Sequence, residues 1–520
     1  MQGRKTYQEK LFTSFHLSER VPQDNFYRRL KNLLDLQWIY KKTMQYYGKE
    51  GQESIDPVVF FKLILIGYFE NLGSDRRIIN TVSMRLDMLY FIGYDIEEAL
   101  PWHSTLSRTR QLYGEEIFKQ LFRQVLKQCI DKKMVSGHCQ VLDSGLIKAN
   151  ASMESLVEKE VLEAGDAYVI NLKQEDQCNN STGRIVKMDE PTSTDNSKVL
   201  KEVVEEKNTQ ADSLKQKEEN KQTANCKGNS KGTLNETYRS RTDPDARVST
   251  KPGKPTQLNY LAQVSVDTRN HVITNIEAHH ADKGDSECLK QALTNTINNL
   301  EPEGLLVKEV LADSGYSNGE ALRYLENNNI VGYIPNPGGY KPEREGFIYD
   351  TQNDQYICSQ GTQLPLKRIH SAGPDSYKKE YRSSSKDCIN CLLRGQCLGK
   401  ATTFKKITET TDKSLYDRMN ARMQSGKARA MMKRRQSTVE PVIGTLLNYT
   451  GMRRVNTRGI KQANKCMLMA ATVYNLKKLL KRGIGKATAA IKEMEKLQQS
   501  ALKTLFAGVG QLQYCNRKSI

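Results

Sequence analysis

The chain has 520 residues, enough for two or three domains with a substantial core. No run in it is long and apolar enough to cross a bilayer, and its 11 cysteines, odd in number and scattered, exclude a disulfide scaffold and point to a reducing compartment. Lys and Arg number 79 against 60 Asp and Glu, a formal charge of +19, which suits a polyanionic partner.

Hydrophobic residues make up 38%, so part of the chain is expected to lie outside any packed core. The start, Met-Gln-Gly-Arg-Lys-Thr-Tyr, lacks the apolar centre of a secretion signal, and a cytoplasmic location without membrane attachment is expected. Residues 1–135 predict an all-helical domain. Asp56-Pro57 is an N-cap followed by proline at the first helical position, and Val58–Phe69, with Lys62 in it, reads as a buried helix. Ser74 caps a second helix carrying Arg76 and Arg77. Pro101 breaks the chain, and Ser104, just after His103, caps a third helix with Arg108 and Arg110. Ile117, Leu121, Val125 and Ile130 mark a longer amphipathic helix. Short arginine-bearing helices suit a DNA-binding bundle of helix-turn-helix type, with a solvated basic face as the alternative.

The first strand is expected within 136–151, at His138 to Asp143. Residues 152–235 form a charged, low-complexity insertion, either disordered or solvated helix. Within 236–336, Tyr260, Ala262, Val264 and Val266 alternate with polar neighbours, as do Val272, Thr274, Ile276 and Ala278, which predicts a hairpin. A helix from Ser286 to Leu300, a strand into Asp313, a helix from Gly319 to Glu326 and a strand at Val331 to Ile334 follow. The pattern is mixed α/β. Residues 337–411 read as a loop-rich insertion with cysteines, 412–485 as basic helix, and 486–520 as a tail.

Two near-identical pieces stand out, Val-Leu-Asp-Ser-Gly at 141–145 and Leu-Ala-Asp-Ser-Gly at 311–315. Each aspartate ends an apolar, β-prone run, where a sheet can carry a carboxylate to its rim. A third carboxylate, Glu440, follows the basic run Lys433, Arg434, Arg435, and Pro441 places it at a helix start. Carboxylates from two strands and a helix are what a two-metal phosphoryl-transfer site needs, and oxygen ligands of this kind suit Mg²⁺. Cys358, Cys388, Cys391 and Cys397 contain a Cys-x-x-Cys core suited to one structural Zn²⁺, with free thiols as the alternative. His279 and His280, beside Asp282, read as ordinary turn histidines. The basic residues flanking Glu440, with Arg453, Arg454 and Arg458 after it, are candidate phosphate contacts.

The chain resembles bacterial insertion-sequence transposases of the cut-and-paste type with an RNase H-like DDE catalytic domain. The resemblance rests on Asp143 and its strand, Thr-Asp-Pro-Asp-Ala-Arg at 242–247, Tyr-Leu-Ala-Gln-Val-Ser-Val-Asp at 260–267, Ala-Asp-Ser-Gly-Tyr at 312–316 and Val-Glu-Pro-Val-Ile-Gly at 439–444. It implies an RNase H-like mixed sheet flanked by helices, preceded by an all-helical N-terminal domain and interrupted by the Cys-containing loop-rich insertion. Asp143, Asp313 and Glu440 would be the catalytic triad holding two Mg²⁺ ions, or Mn²⁺. The implied partners are double-stranded DNA, as terminal inverted repeats and as target, and a second copy of the chain assembled on it, with the DNA-bound protein at the nucleoid. In a related group an arginine stands four residues before the glutamate and a lysine seven after; here those positions hold Gln436 and Leu447. Two rival readings remain: a silent or repurposed relative that only binds DNA, and a nuclease of the same fold that does not join strands.

Overall fold

The computed structural model describes residues 16–48, 50, 54–159, 234–250, 255–338, 340–373 and 376–482. Most of the insertion at 152–235 and all of the tail at 486–520 lie outside the described residues.

Eight helices open the described chain: α1 (Leu17–Arg20), α2 (Phe26–Leu33), α3 (Trp38–Thr43), α4 (Pro57–Phe69), α5 (Asp75–Ser83), α6 (Leu86–Ile92), α7 (His103–Leu112) and α8 (Glu115–Asp131). Local chemistry starts several of them. Asp56 accepts from Val58 N and Val59 N at the head of α4, and Ser74 accepts from Arg77 N at the head of α5. Ser104 does not cap α7. The cap position is Trp102, and His103 and Ser104 are already helical. The run through α4 is buried nearly all round, so this helix is the centre of the bundle rather than its surface.

The main sheet has six strands: β1 (Cys139–Lys148), β4 (Arg247–Ser249), β5 (Gln257–Asp267), β6 (Ile273–His280), β7 (Glu309–Leu311) and β8 (Val331–Tyr333), while β2 (Leu156–Glu158) and β3 (Tyr238–Ser240) pair separately. β5 runs antiparallel to β1 on one edge and to β4 and β6 on the other. β1, β7 and β8 are mutually parallel neighbours. The β5–β6 hairpin predicted from alternation is present. However, the polar residues of β5 do not face water. Gln263 and Ser265 are buried under α9 (Asp285–Leu300), where Thr296 donates to Ser265 Oγ at 2.8 Å. The covering helix replaces solvent by hydrogen bonds, which alternation alone cannot foresee. The same face takes α10 (Gly319–Asn327) and α11 (Lys413–Met423).

On the opposite face lie α12 (Gly426–Tyr449) and α13, helical over 460–482, packed into one core with the N-terminal bundle. α13 covers the edge of β6: the Asn475 amide accepts from Ile273 N and donates to Ile273 O, closing a strand edge that would otherwise be open to pairing. Lys465, itself buried, ties α13 to the bundle by donating to the carbonyls of Arg110 and Tyr113.

Two further expectations are corrected. Residues 337–411 are not loop-rich but form a five-stranded antiparallel sheet of β9 (Phe347–Asp350), β10 (Gln355–Cys358), β11 (Gln363–Gly373), β12 (Ser376–Arg382) and β13 (Lys406–Thr410). Its strands are polar, β11 is largely exposed, and the buried core is Tyr356, Leu364, Tyr381 and Ile407, too sparse to print a clear period in the sequence. Glu440 does not start a helix: α12 runs unbroken through Pro441. A mid-helix proline costs about 3 kcal/mol. Val439, Val442 and Leu446 are fully buried on the same helix, each stabilising by roughly 1.5–3 kcal/mol, and the carbonyl deprived of its donor belongs to exposed Ser437. Packing outweighs the proline.

Candidate active site

The pairing of β1 with β7 sets the geometry. Val141 stands opposite Leu311 in parallel register, so two residues further along each chain Asp143 and Asp313 fall side by side on the same face. Their settings differ. β1 continues to Lys148, so Asp143 sits within a strand rather than at its end, with only 17% of its side chain exposed. Asp313 lies just past β7, 42% exposed, and its Oδ1 accepts from Gly315 N at 3.0 Å as the chain turns. A Cβ at Gly315 would stand 3.0 Å from Asp313 Oδ1 and 3.3 Å from Asp285 Oδ2, so any larger residue there would press on both carboxylates. Gly145, its counterpart in the first piece, faces only Ile443 of α12, at an ordinary 3.7 Å.

That close approach identifies residues the sequence did not single out. Asp285, the first residue of α9, brings a further carboxylate to Asp313. It accepts from Gln263 Nε2 at 3.1 Å, and Gln263 Oε1 in turn accepts from the Tyr316 hydroxyl at 2.5 Å. A buried chain of hydrogen bonds thus connects β5, α9 and the turn bearing Asp313. The available signal was Gly284-Asp285-Ser286 ahead of a helical run, which reads as an ordinary helix start.

Arg435, on α12, reaches both aspartates: Nη2 is 2.9 Å from Asp143 Oδ2 and 3.6 Å from Asp313 Oδ2. Burial pushes the Asp143 carboxyl above its usual value. Arg435 and the Ser144 N–H oppose this, and the charges of Asp313 and Asp285 add to it. The Tyr316 hydroxyl is driven well above its usual range, first by burial and then by the same three carboxylates. The site is therefore a concentration of negative charge, partly desolvated and countered by one guanidinium.

Glu440 follows Arg435 on α12 by about 7.5 Å of helix rise and is exposed. No ion pair or hydrogen bond joins it to either aspartate, and among the described residues no three His, Cys, Asp or Glu side chains converge as a ready metal cage. The four cysteines, Cys358, Cys388, Cys391 and Cys397, are half-buried and line one small cavity beside Ser383, whose hydroxyl lies 3.0 Å from Cys388 Sγ. His279 and His280 are not turn residues but the last two of β6: His279 is buried against Glu277, and His280 Nδ1 lies 2.8 Å from the carbonyl of Asp245.

The candidate DNA contacts divide. Arg76, Arg77 and Arg108 are exposed on α5 and α7, but Arg110 is buried in a two-pronged pair with Asp75, at 2.6 and 3.0 Å. A guanidinium so engaged holds α5 to α7 and faces no solvent. Lys433 and Arg434 are exposed, whereas Arg435 turns inward to the aspartates. Arg453, Arg454 and Arg458 are exposed, and their segment pairs with the end of β1, Val455 N donating to Lys148 O. This sets basic side chains roughly 17 Å along β1 from Asp143.

Residues 15–112 match a family described as a transposase domain, and residues 357–480 match a family described as a transposase DDE domain. The second match includes the four cysteines and Glu440, while Asp143 and Asp313 lie between the two. A comparison with curated protein sequences gave no significant match. Together the two matches, to a transposase domain and to a transposase DDE domain, support an insertion-sequence DDE transposase.

Proposed function

We propose that the protein cuts and joins DNA at the ends of its own mobile element, with Asp143 and Asp313 as the fixed half of a divalent-cation site and Glu440 as the third carboxylate. The reading is carried by one observation, the shared parallel register that puts two carboxylates on one face of neighbouring strands. An antiparallel β4/β6–β5–β1 half joined to the parallel strands β7 and β8, with helices on both faces, supports an RNase H-like catalytic core. The donors fit a hard cation, Mg²⁺ or Mn²⁺: they are all oxygens, they stand together, and their charge is already met by a guanidinium cation. When bound, such ions activate an attacking oxygen and stabilise a leaving 3′ oxygen. Water as the attacking group cuts a strand, and a 3′ hydroxyl as the attacking group joins it to target DNA.

The protein's own residues supply the rest. Lys433, Arg434, Arg453, Arg454 and Arg458 neutralise backbone phosphates around the acidic site, giving affinity that falls steeply with salt. Arg76, Arg77 and Arg108 on the N-terminal helices take part in recognising terminal inverted repeats. Two element ends must meet, so the active form on DNA is a homodimer. The four cysteines lining the cavity beside the β9–β13 sheet do not stand as a ready cage; drawn together, they would hold a structural Zn²⁺ and brace a layer with little apolar core, and less than about half an equivalent of zinc in purified protein would remove this part of the reading.

The test is a labelled DNA carrying the gene's own flanks, incubated with Mg²⁺ and wild-type, Asp313→Asn or Glu440→Gln protein. Nicking at a defined end with joined product, lost in both variants, is expected. Full cleavage by Asp313→Asn would refute the site, and binding without cleavage by the wild type would favour the DNA-binding relic.

A further inference from the structure

Arg435 lies on α12 beside the exposed cations Lys433 and Arg434, yet its side chain does not face solvent. It is 9% exposed, its Nη2 lies between Asp143 Oδ2 and Asp313 Oδ2, and its Nε is buried without a hydrogen-bond partner. Burying a guanidinium with one nitrogen unsatisfied is costly, so the attraction to the two carboxylates must offset both that cost and their mutual repulsion. Each carboxylate directs its other oxygen elsewhere: Asp143 Oδ1 accepts from Ser144 N and Asp313 Oδ1 from Gly315 N. The two oxygens that meet Arg435 are therefore the pair left over for a shared cation.

We propose that Arg435 is a positioning residue and built-in counter-ion of the acidic pair, which competes with a divalent cation for Asp143 Oδ2 and Asp313 Oδ2. The inference rests on the reading of this pair as the cation site. Arg435 keeps the two carboxylates together without a metal ion, and a metal ion entering the pair must displace its guanidinium. Arg435 thereby weakens metal binding while it preserves the shape of the site. A phosphate-binding arginine would have neither effect.

The experiment uses full-length wild type, Arg435→Gln, Arg435→Lys and Asp313→Asn, melted in EDTA and across a Mn²⁺ titration. In EDTA, Arg435→Gln is expected to melt below wild type. Its half-saturating Mn²⁺ concentration should be about tenfold lower than that of wild type, the scale of a lost charge-assisted contact. Arg435→Lys should fall between them and serves if the glutamine variant does not fold. Asp313→Asn should lose the Mn²⁺-dependent shift. An unchanged or higher half-saturating concentration in both Arg435 variants, with the wild-type shift intact, would overturn the role of Arg435 and leave the cation site standing. Absence of a Mn²⁺ shift in wild type, together with absence of metal-dependent cleavage, would overturn the cation site and this inference with it.

Discussion

Replacing Tyr316 by phenylalanine tests whether the hydrogen-bonded chain behind Asp313 holds the site in shape. Tyr316 is fully buried and Gln263 is 1% exposed, so no water can take the place of the lost hydroxyl donor. Gln263 Oε1 would be left as a buried acceptor without a partner, at a cost of roughly 1–3 kcal/mol. In a cooperative unit of this size that corresponds to a fall in Tm of roughly 2–4 °C for each kcal/mol. Chemical and thermal unfolding of Tyr316→Phe, Gln263→Leu and the double variant would measure it. Since the double variant removes both partners, its loss should be smaller than the sum of the single losses by roughly 0.5–3 kcal/mol. Tyr316 closes the turn that begins at Asp313, its N–H donating to the Asp313 carbonyl at 3.2 Å. Loosening that turn should also lower DNA cleavage, since a misplacement of about 1 Å can cost on the order of a hundredfold. A Tyr316→Phe protein as stable as wild type, or strict additivity in the double variant, would refute the argument.

Other tests follow from the same structure. Arg110→Gln or Asp75→Asn leaves one charge of a buried pair alone and should cost roughly 3–5 kcal/mol, while replacing both by leucine should recover most of it. A single variant of wild-type stability, read by urea unfolding, would show that the pair is not the clamp between α5 and α7. The Glu380 carboxyl is held down to about 2, against an ordinary 4.5, mainly by Arg368, with Arg382 and Lys406 adding to it and burial opposing it. A depressed carboxylate stabilises the fold above its unfolded value and loses that effect as pH falls from about 4.5 towards 2. The β9–β13 sheet should therefore weaken across that window in wild type, and Glu380→Gln should show a flatter dependence; parallel acid titrations of the two would contradict the assignment.

What the sequence disclosed, and what it hid, follows the range of the interactions involved. Asp56-Pro57 and Ser74 announce helices because a cap is made within three residues of the side chain that makes it. The β5–β6 hairpin is equally local. The polar face of β5 escaped because α9, which buries it, is recognised as a helix but not as a lid over glutamine and serine. The β9–β13 sheet escaped because exposed strands such as β11 carry too few apolar residues to show a period of two. Arg110 and Arg435 read as surface cations in a basic chain; only the positions of Asp75, Asp143 and Asp313 turn them inward. Pro441 points to a helix start on local backbone preference alone, and the buried residues on either side of it carry the helix through.

The two Asp-Ser-Gly pieces show how one short sequence serves two mechanical ends. In the first, Asp143 is held within a strand by its pairing with β5, desolvated, and its position is set by the sheet. In the second, the strand stops at Leu311, and Asp313 starts a turn whose glycine admits two carboxylates at close quarters. One carboxylate is thus rigid and the other rests on a turn secured from behind by Tyr316, Gln263 and Asp285. On the proposed reading, in which the attacking group changes between steps, that division lets the strand-held member fix the location of charge while the other accommodates a change of ligand. Arg435 and Glu440 share α12, the first turned in to the aspartates and the second exposed. The asymmetry between Asp143 and Asp313 is then part of one arrangement, in which the sheet supplies the fixed point and α12 supplies the counter-charge.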